Sequence, residues 1–288
     1  AKDMGRNQVQ VHGLDNNYVK KMHKELSWVA DIKNASTNNR FSLQLQKIDS
    51  LHNSQSSSMY EVLLRLYDDE GSLVLPGNYI PAAERFSLMG DVDHWVIKQT
   101  FKQLSSLYKT SADCNVQLFI NISVNSLNSD SFTDFVIQQL NKYNIAHNAI
   151  CLEISEAQAV KNIHQTTEVI AALRKHNIKF ALDDFGADTA SFIYLKSLCV
   201  DYLKIDGNII RNMPHNTVDK AIVAAIEQIG RVMNIKTIAK HVEDVFTLNQ
   251  LKEIGIDYAQ GFYLDKPCHI NERIEDIKKT MLQHPAQH

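Results

Sequence analysis

The sequence predicts an α/β protein built as a (β/α)8-type barrel, and three observations carry that prediction. Short apolar runs alternate with helical periods from Phe41 onward, eight of the runs read as strands, and one run after another ends on a polar residue. FSLQLQKI and YEVLLRLY alternate like strands on either side of the polar, serine-rich HNSQSSS. That hairpin-like start has no helix in its connection, so the barrel is irregular there. The later strand runs are VQLFIN, AICLEI, KFALDD, YLKID, KTIAK and YAQG, with helices expected near 92–108, 130–143, 163–176, 190–198, 218–233 and 245–254. A doubly wound open sheet is the competing architecture.

Composition narrows the function classes. The 288 residues hold 30 Lys plus Arg against 33 Asp plus Glu, a net charge of -3, so no overall basic field draws nucleic acid or anionic membrane. An anionic ligand must be held by local groups. Cys114, Cys151, Cys199 and Cys268 form no CxxC pair and mostly sit in apolar segments, which reads as buried free thiols of a reducing compartment. No apolar run approaches the roughly 20 residues of a membrane span, and AKDMGRNQ lacks a signal-peptide core. The segment therefore reads as cytoplasmic, with room for a membrane anchor elsewhere in a longer parent. Residues 1–35, with a strand end QVQVH and an amphipathic helix around KKMHKELSWVADIKNA, are too short for a domain. They read as a linker from something upstream, and 36–288 as the barrel domain.

In a barrel the chemistry gathers where the parallel strands finish. The polar residues there are Asn121, Glu153, Asp183, Asp184, Lys204, Asp206, Lys240 and Gln260, with Glu61 and Arg65 inside the second strand run. Taken singly, each acid is as readily a solvated side chain or a helix cap. Together, carboxylates converging on one face need a cation, so Glu61, Asn121, Glu153 and Asp183 read as an all-oxygen site for Mg2+ or Mn2+. Asp183 and Asp184 point to opposite faces in a continuing strand, but at a strand end both can turn to the mouth and suit a second metal. Two metals about 4 Å apart are the usual machinery of phosphodiester hydrolysis. Lys204 and Arg65 are placed to hold phosphate oxygens or a water; the plain alternatives are a solvent-reaching lysine and an Arg65–Glu61 ion pair. Phe262, Tyr263 and Tyr79 could stack on a base or pack in the core.

These stretches resemble the EAL domain family, cyclic-di-GMP phosphodiesterases on an irregular TIM (β/α)8 barrel whose first strand runs antiparallel. The matching segments are QKI with Gln46, EVLLR, PGNYIPAAERFSLMGDVDHWVI, NISVNSL, LEISE, ALDDFG, YLKIDG, HVED and YAQGFYLDKP, in order from Phe41 to Pro267. The start AKDMGRNQVQV resembles the last residues of a GGDEF domain, which implies the carboxy-terminal part of a GGDEF-EAL protein. The resemblance implies that Glu61, Asn121, Glu153 and Asp183 hold a first metal and that Asp184 serves a second. It places Lys204 near the attacking water, Arg65 and Gln46 on the ligand, and Asp206, Glu243 and Gln260 in the supporting shell. Glu156 matches the glutamate that anchors the loop after DDFG, and that face carries the family's homodimers.

Two departures stand out. The family shows AEGVE or AEFVE where this chain has AKHVE, so Lys240 replaces a glutamate that resembles a second-metal ligand and the catalytic base. The loop usually written DDFGTGYSSL here runs DDFGADTASF. A unit charge about 4 Å from a divalent ion interacts by about 8 kcal/mol at an effective dielectric near 20, and an ammonium reverses the sign. The second metal should be lost. Three functions follow from the resemblance: a silent domain that binds cyclic-di-GMP and signals to a partner, like the FimX and LapD receptors; an active phosphodiesterase giving pGpG; or a scaffold of the CsrD type that binds only protein.

Overall fold

The computed structural model describes residues 28–36, 38–52, 58–108, 115–187 and 192–283. The expected QVQVH strand, most of the linker helix, the middle of HNSQSSS, Cys114 and residues 188–191 after DDFG lie outside them. Helical residues 28–35 precede the barrel. Its strands are β1 (Phe41–Ser50), β2 (Ser58–Tyr67), β4 (Val116–Asn121), β5 (Ile150–Ser155), β6 (Lys179–Phe185), β7 (Tyr202–Ile205), β8 (Lys236–Ala239) and β9 (Tyr258–Ala259). The sheet closes because β1 pairs with both β2 and β9, and both pairings are antiparallel. From β2 through β4 to β9 every neighbouring pair is parallel. Two-residue strands, β3 (Leu73–Val74) and β10 (Cys268–His269), extend the sheet beside β2 and β1.

The helices are α1 (Pro76–Arg85), α2 (Met89–Tyr108), α3 (Val124–Leu127), α4 (Phe132–Tyr143), α5 (Glu156–Lys161), α6 (Ile163–Arg174), α7 (Gly207–Asn212), α8 (Thr217–Met233), α9 (Val245–Ile254) and α10 (Ile270–Gln283). Their ends follow local chemistry: Asp244 caps α9 by accepting from Thr247 N at 2.7 Å, and Gly255 closes it at φ 100°. The helix expected near 190–198 is instead a single 3-10 turn, Phe192–Lys196. Leu195 and Leu198 are buried there, a three-residue spacing that a 3-10 turn satisfies. Helix α1 hides in the sequence behind two prolines, yet Pro76 suits the first turn and Pro81 forfeits only one backbone bond. The thiols are less uniformly buried than expected: Cys151 is buried, Cys268 half-buried and Cys199 exposed.

The barrel interior is layered. Ile48, Met59, Phe119, Cys151, Ala181, Tyr202 and Ile238, with Tyr258 against them, form an apolar floor drawn from all eight strands. Side chains alternate along a strand, so the next inward position lies two residues on, toward the mouth.

Candidate active site and ligand pocket

That two-residue step builds the site. It leads from Met59 to Glu61, Phe119 to Asn121, Cys151 to Glu153, Ala181 to Asp183, Tyr202 to Lys204, Ile238 to Lys240 and Tyr258 to Gln260; on antiparallel β1 it runs backward, from Ile48 to Gln46. The structure thus brings eight of the residues singled out from sequence into one polar layer. Register agrees, since Glu61 lies opposite Gln46 and Asn121 beside Glu153.

Lys204, fully buried, donates to Glu61 Oε2 at 2.8 Å and Glu153 Oε1 at 2.6 Å. Glu61 also accepts from Asn121 Nδ2 at 3.0 Å and Gln260 Nε2 at 2.7 Å, and Gln260 Nε2 donates to Gln46 Oε1 at 3.0 Å. Burial opposes the Glu61 charge, but the Lys204 ammonium outweighs it and holds the pKa at about 2. Burial and the neighbouring Glu61 charge push Glu153 the other way, well above the usual carboxylate range. Burial likewise opposes the Lys204 charge, yet Glu153 and Glu61 keep the ammonium protonated. The plain alternative for Lys204, a solvent-reaching side chain, is excluded.

Lys240 forms a second cluster. Its Nζ donates to Asp183 Oδ1 and Oδ2 at 2.8 and 2.9 Å and to Asp184 Oδ1 at 2.7 Å. Two adjacent aspartates reach one lysine because Asp184 takes a left-handed backbone, φ 53°, where the β6–β7 register shifts between Leu182 and Phe185. Burial opposes the Lys240 charge, and Asp183 together with Asp184 more than restores it, so its pKa rises. Among the described residues no three acidic, His or Cys side chains stand arranged as a ready cation cage. Both ammoniums sit between the carboxylates.

Around this layer lie two cavities, about 290 and 370 Å3, which share Leu63 and Arg65 in their walls. Asn121, Asp183 and Asp184 border the first, and Glu61, Lys240 and Gln260 the second. Arg65 does not pair with Glu61; its Nε donates to Gln44 Oε1 at 2.8 Å and Nη1 to Leu64 O at 3.0 Å. Tyr79 is 1% exposed and packs in the core rather than offering a stacking face, whereas Phe262 and Tyr263 stand open at 63% and 48%. Asp206 caps α7 through Asn208 N and Ile209 N. Glu243 pairs with exposed Arg211, which also donates to His241 Nδ1 at 2.8 Å. Glu156 accepts from Gly186 N at 2.8 Å and from the Tyr194 hydroxyl, tying the strand end after DDFG to the 3-10 turn. Gly186 takes φ 89°, a backbone that side chains rarely adopt, and a Cβ there would stand 3.1 Å from the Cδ1 atoms of Ile209 and Ile226.

Sequence reasoning missed Gln44, Asp93, Arg211 and Tyr194. Gln44 alone left a signal, two residues from Gln46 on the same strand face. Asp93 of α2 accepts from Ser123 N, Ser123 Oγ and Ser126 Oγ at 2.8, 2.6 and 2.6 Å, fastening the turn after Asn121.

A closed barrel with one antiparallel strand and a mouth lined with carboxylates is the architecture of EAL domains, and the family model for that domain matches residues 29–267, so this chain belongs to the family. It is 35% identical over 98% of its length to the cyclic di-GMP phosphodiesterase PdeB of Shewanella oneidensis, covering 33% of that protein. It is 34% identical over 82% of its length to the cyclic di-GMP phosphodiesterase PdeA of Borreliella burgdorferi, covering 35%. The chain thus spans about a third of these relatives. Among solved structures, the MucR phosphodiesterase in complex with c-di-GMP superposes with TM-score 0.79 at 26% identity, over 86% of this chain and 99% of that one. The FimX EAL domain of Pseudomonas aeruginosa bound to c-di-GMP gives 0.77 at 28%, over 83% and 96%.

Proposed function

We propose that this domain acts in cyclic-di-GMP signalling as a nucleotide-binding regulatory module that does not cleave its ligand. The observation that carries the proposal is Lys240 Nζ within 2.7–2.9 Å of both Asp183 and Asp184. Once a bound cation displaces the proton that burial favours on Glu153, the four carboxylates Glu61, Glu153, Asp183 and Asp184 face two ammoniums, which leaves a net charge of -2. One divalent cation balances that; two would overshoot it.

The residues present fit one cation. Among the described residues Glu153 Oε2 is buried without a hydrogen-bond partner, which suits it, once ionised, to accept the cation. Glu61, Asn121, Glu153 and Asp183 would hold a single Mg2+ or Mn2+, which supplies Lewis-acid polarisation of a phosphate oxygen. Asp184 is engaged by Lys240, so the pair of metals used to activate water is reduced to one metal and an ammonium. Lys240 provides positive charge for a phosphate and, kept protonated, cannot serve as a base. Arg65 adds a half-buried guanidinium between two cavities, a geometry suited to one phosphodiester ring with a guanine on either side.

The test has two arms. Calorimetric titration with cyclic-di-GMP in Ca2+ should give saturable binding; no heat at high micromolar ligand removes the nucleotide reading and leaves the protein scaffold. Incubation in Mn2+ with chromatography should leave the ligand intact. Steady pGpG formation proportional to protein makes the domain an active phosphodiesterase.

A further inference from the structure

The guanidinium of Arg65 is unusual in its company. It is half-buried at the mouth, and among the described residues it forms no ion pair with a carboxylate. Glu61, four residues earlier on the same strand face, is committed to Asn121, Lys204 and Gln260. What holds Arg65 instead is uncharged. Gln44 Oε1 accepts from Nε at 2.8 Å and the Leu64 carbonyl from Nη1 at 3.0 Å.

The pairing is a product of register. In the β1–β2 ladder Ser42 lies opposite Arg65 and Gln44 opposite Leu63, so Gln44 is the diagonal neighbour of Arg65 on one face. Such diagonals are within reach of long side chains. The bonds to Gln44 and Leu64 engage Nε and Nη1, and among the described residues Nη2 is left without a partner. Arg65 lies in the walls of both cavities, so that fork serves the ligand space.

We infer that Gln44 is a positioning residue for ligand binding: its neutral amide oxygen fixes the Arg65 fork at the mouth while leaving the full positive charge for a ligand phosphate. A carboxylate at position 44 would hold the same Nε–H more strongly, because charge-assisted bonds are about twice as strong as neutral ones, and would discharge the fork. Burial lowers the Arg65 pKa, in keeping with a cation that has no counter-ion of its own. The inference rests on the cyclic-di-GMP reading above.

The experiment compares wild type, Gln44→Ala, Gln44→Glu, Arg65→Ala and the Gln44→Ala/Arg65→Ala double variant by calorimetry with cyclic-di-GMP in Ca2+. Each is also followed by thermal melting. Gln44→Ala should weaken binding about tenfold, the lower range for a hydrogen bond to a charged group. Gln44→Glu should weaken it at least as much while melting no lower than wild type, which a purely structural role does not produce. On the Arg65→Ala background, Gln44→Ala should have no further effect beyond about twofold. Wild-type affinity in Gln44→Glu, or an equal loss with and without Arg65, overturns the inference. Hydrogen exchange of the Arg65 Nε–H by NMR separates the two layers of argument. If wild type binds no cyclic-di-GMP, the proposed function falls, and unchanged exchange in Gln44→Ala then overturns the Gln44 assignment as well. Faster exchange upholds that contact.

Discussion

Two lysines stand in the same inward layer of the barrel, each between two carboxylates, and their surroundings differ. Lys204 is fully buried with Glu61 and Glu153, which are 8% and 0% exposed. Lys240 is 15% exposed, and its partners Asp183 and Asp184 are 10% and 50% exposed. Lys204 is thus part of the barrel's interior balance, where each charge depends on the other. Lys240 sits nearer the rim, on two aspartates that the proposed function counts as candidate cation ligands. The first lysine is locked into the interior, and the second is the one on which the proposed loss of cleavage turns.

Removing each charge should separate these roles. Lys204→Met leaves two glutamates buried without the counter-charge between them, and stability in chelator should fall by about 3–5 kcal/mol in urea melts, with partial recovery in Mn2+. A loss below about 1 kcal/mol would contradict its interior role. A buried carboxylate outside this layer carries its own pH dependence. Asp93 is held by serine hydroxyls and a backbone N–H, and burial raises its pKa to about 6. The raised value means the folded form keeps its proton longer. The associated stability is full below pH ~4 and is lost as pH rises through about 6, by about 3 kcal/mol. Asp93→Asn should remove that share of the slope in melts between pH 4 and 7; an unaltered slope would place the titration elsewhere. The smallest effect on folding belongs to Lys240→Met, roughly 1–2 kcal/mol, because the Asp184 arm is open to solvent. The same variant should bind Mn2+ more tightly than wild type in a calorimetric titration, since it frees Asp183 and Asp184.

Much of this was legible in the sequence, for a reason the layers make plain. Strand alternation fixes which residues point inward, so the polar ends of LFIN, CLE, ALDD and TIAK already named the members of the layer. The departure at Lys240 was visible as a cation where a carboxylate belongs. The partner choice was not. That both aspartates turn to one lysine depends on the φ of 53° at Asp184, which no side-chain pattern encodes. The Gln44–Arg65 contact depends on the β1–β2 register, and Arg65 had a carboxylate nearer in sequence. Tyr79 read equally as a stacking platform, because strand alternation says nothing about which face of α1 carries it. The 3-10 turn at Phe192–Lys196 escaped because its apolar spacing also fits the start of an α-helix.

In the function proposed above, the ammonium of Lys240, and no other feature, withholds the second metal. Lys240→Glu restores a carboxylate there and takes the fully ionised layer from -2 to -4, which two divalent ions balance. Assayed beside wild type with cyclic-di-GMP and Mn2+, it should form pGpG faster by about two to four powers of ten, the range carried by a general base. Equal and negligible rates in both proteins would contradict the claim and move the block to another element, the altered loop after DDFG first among them.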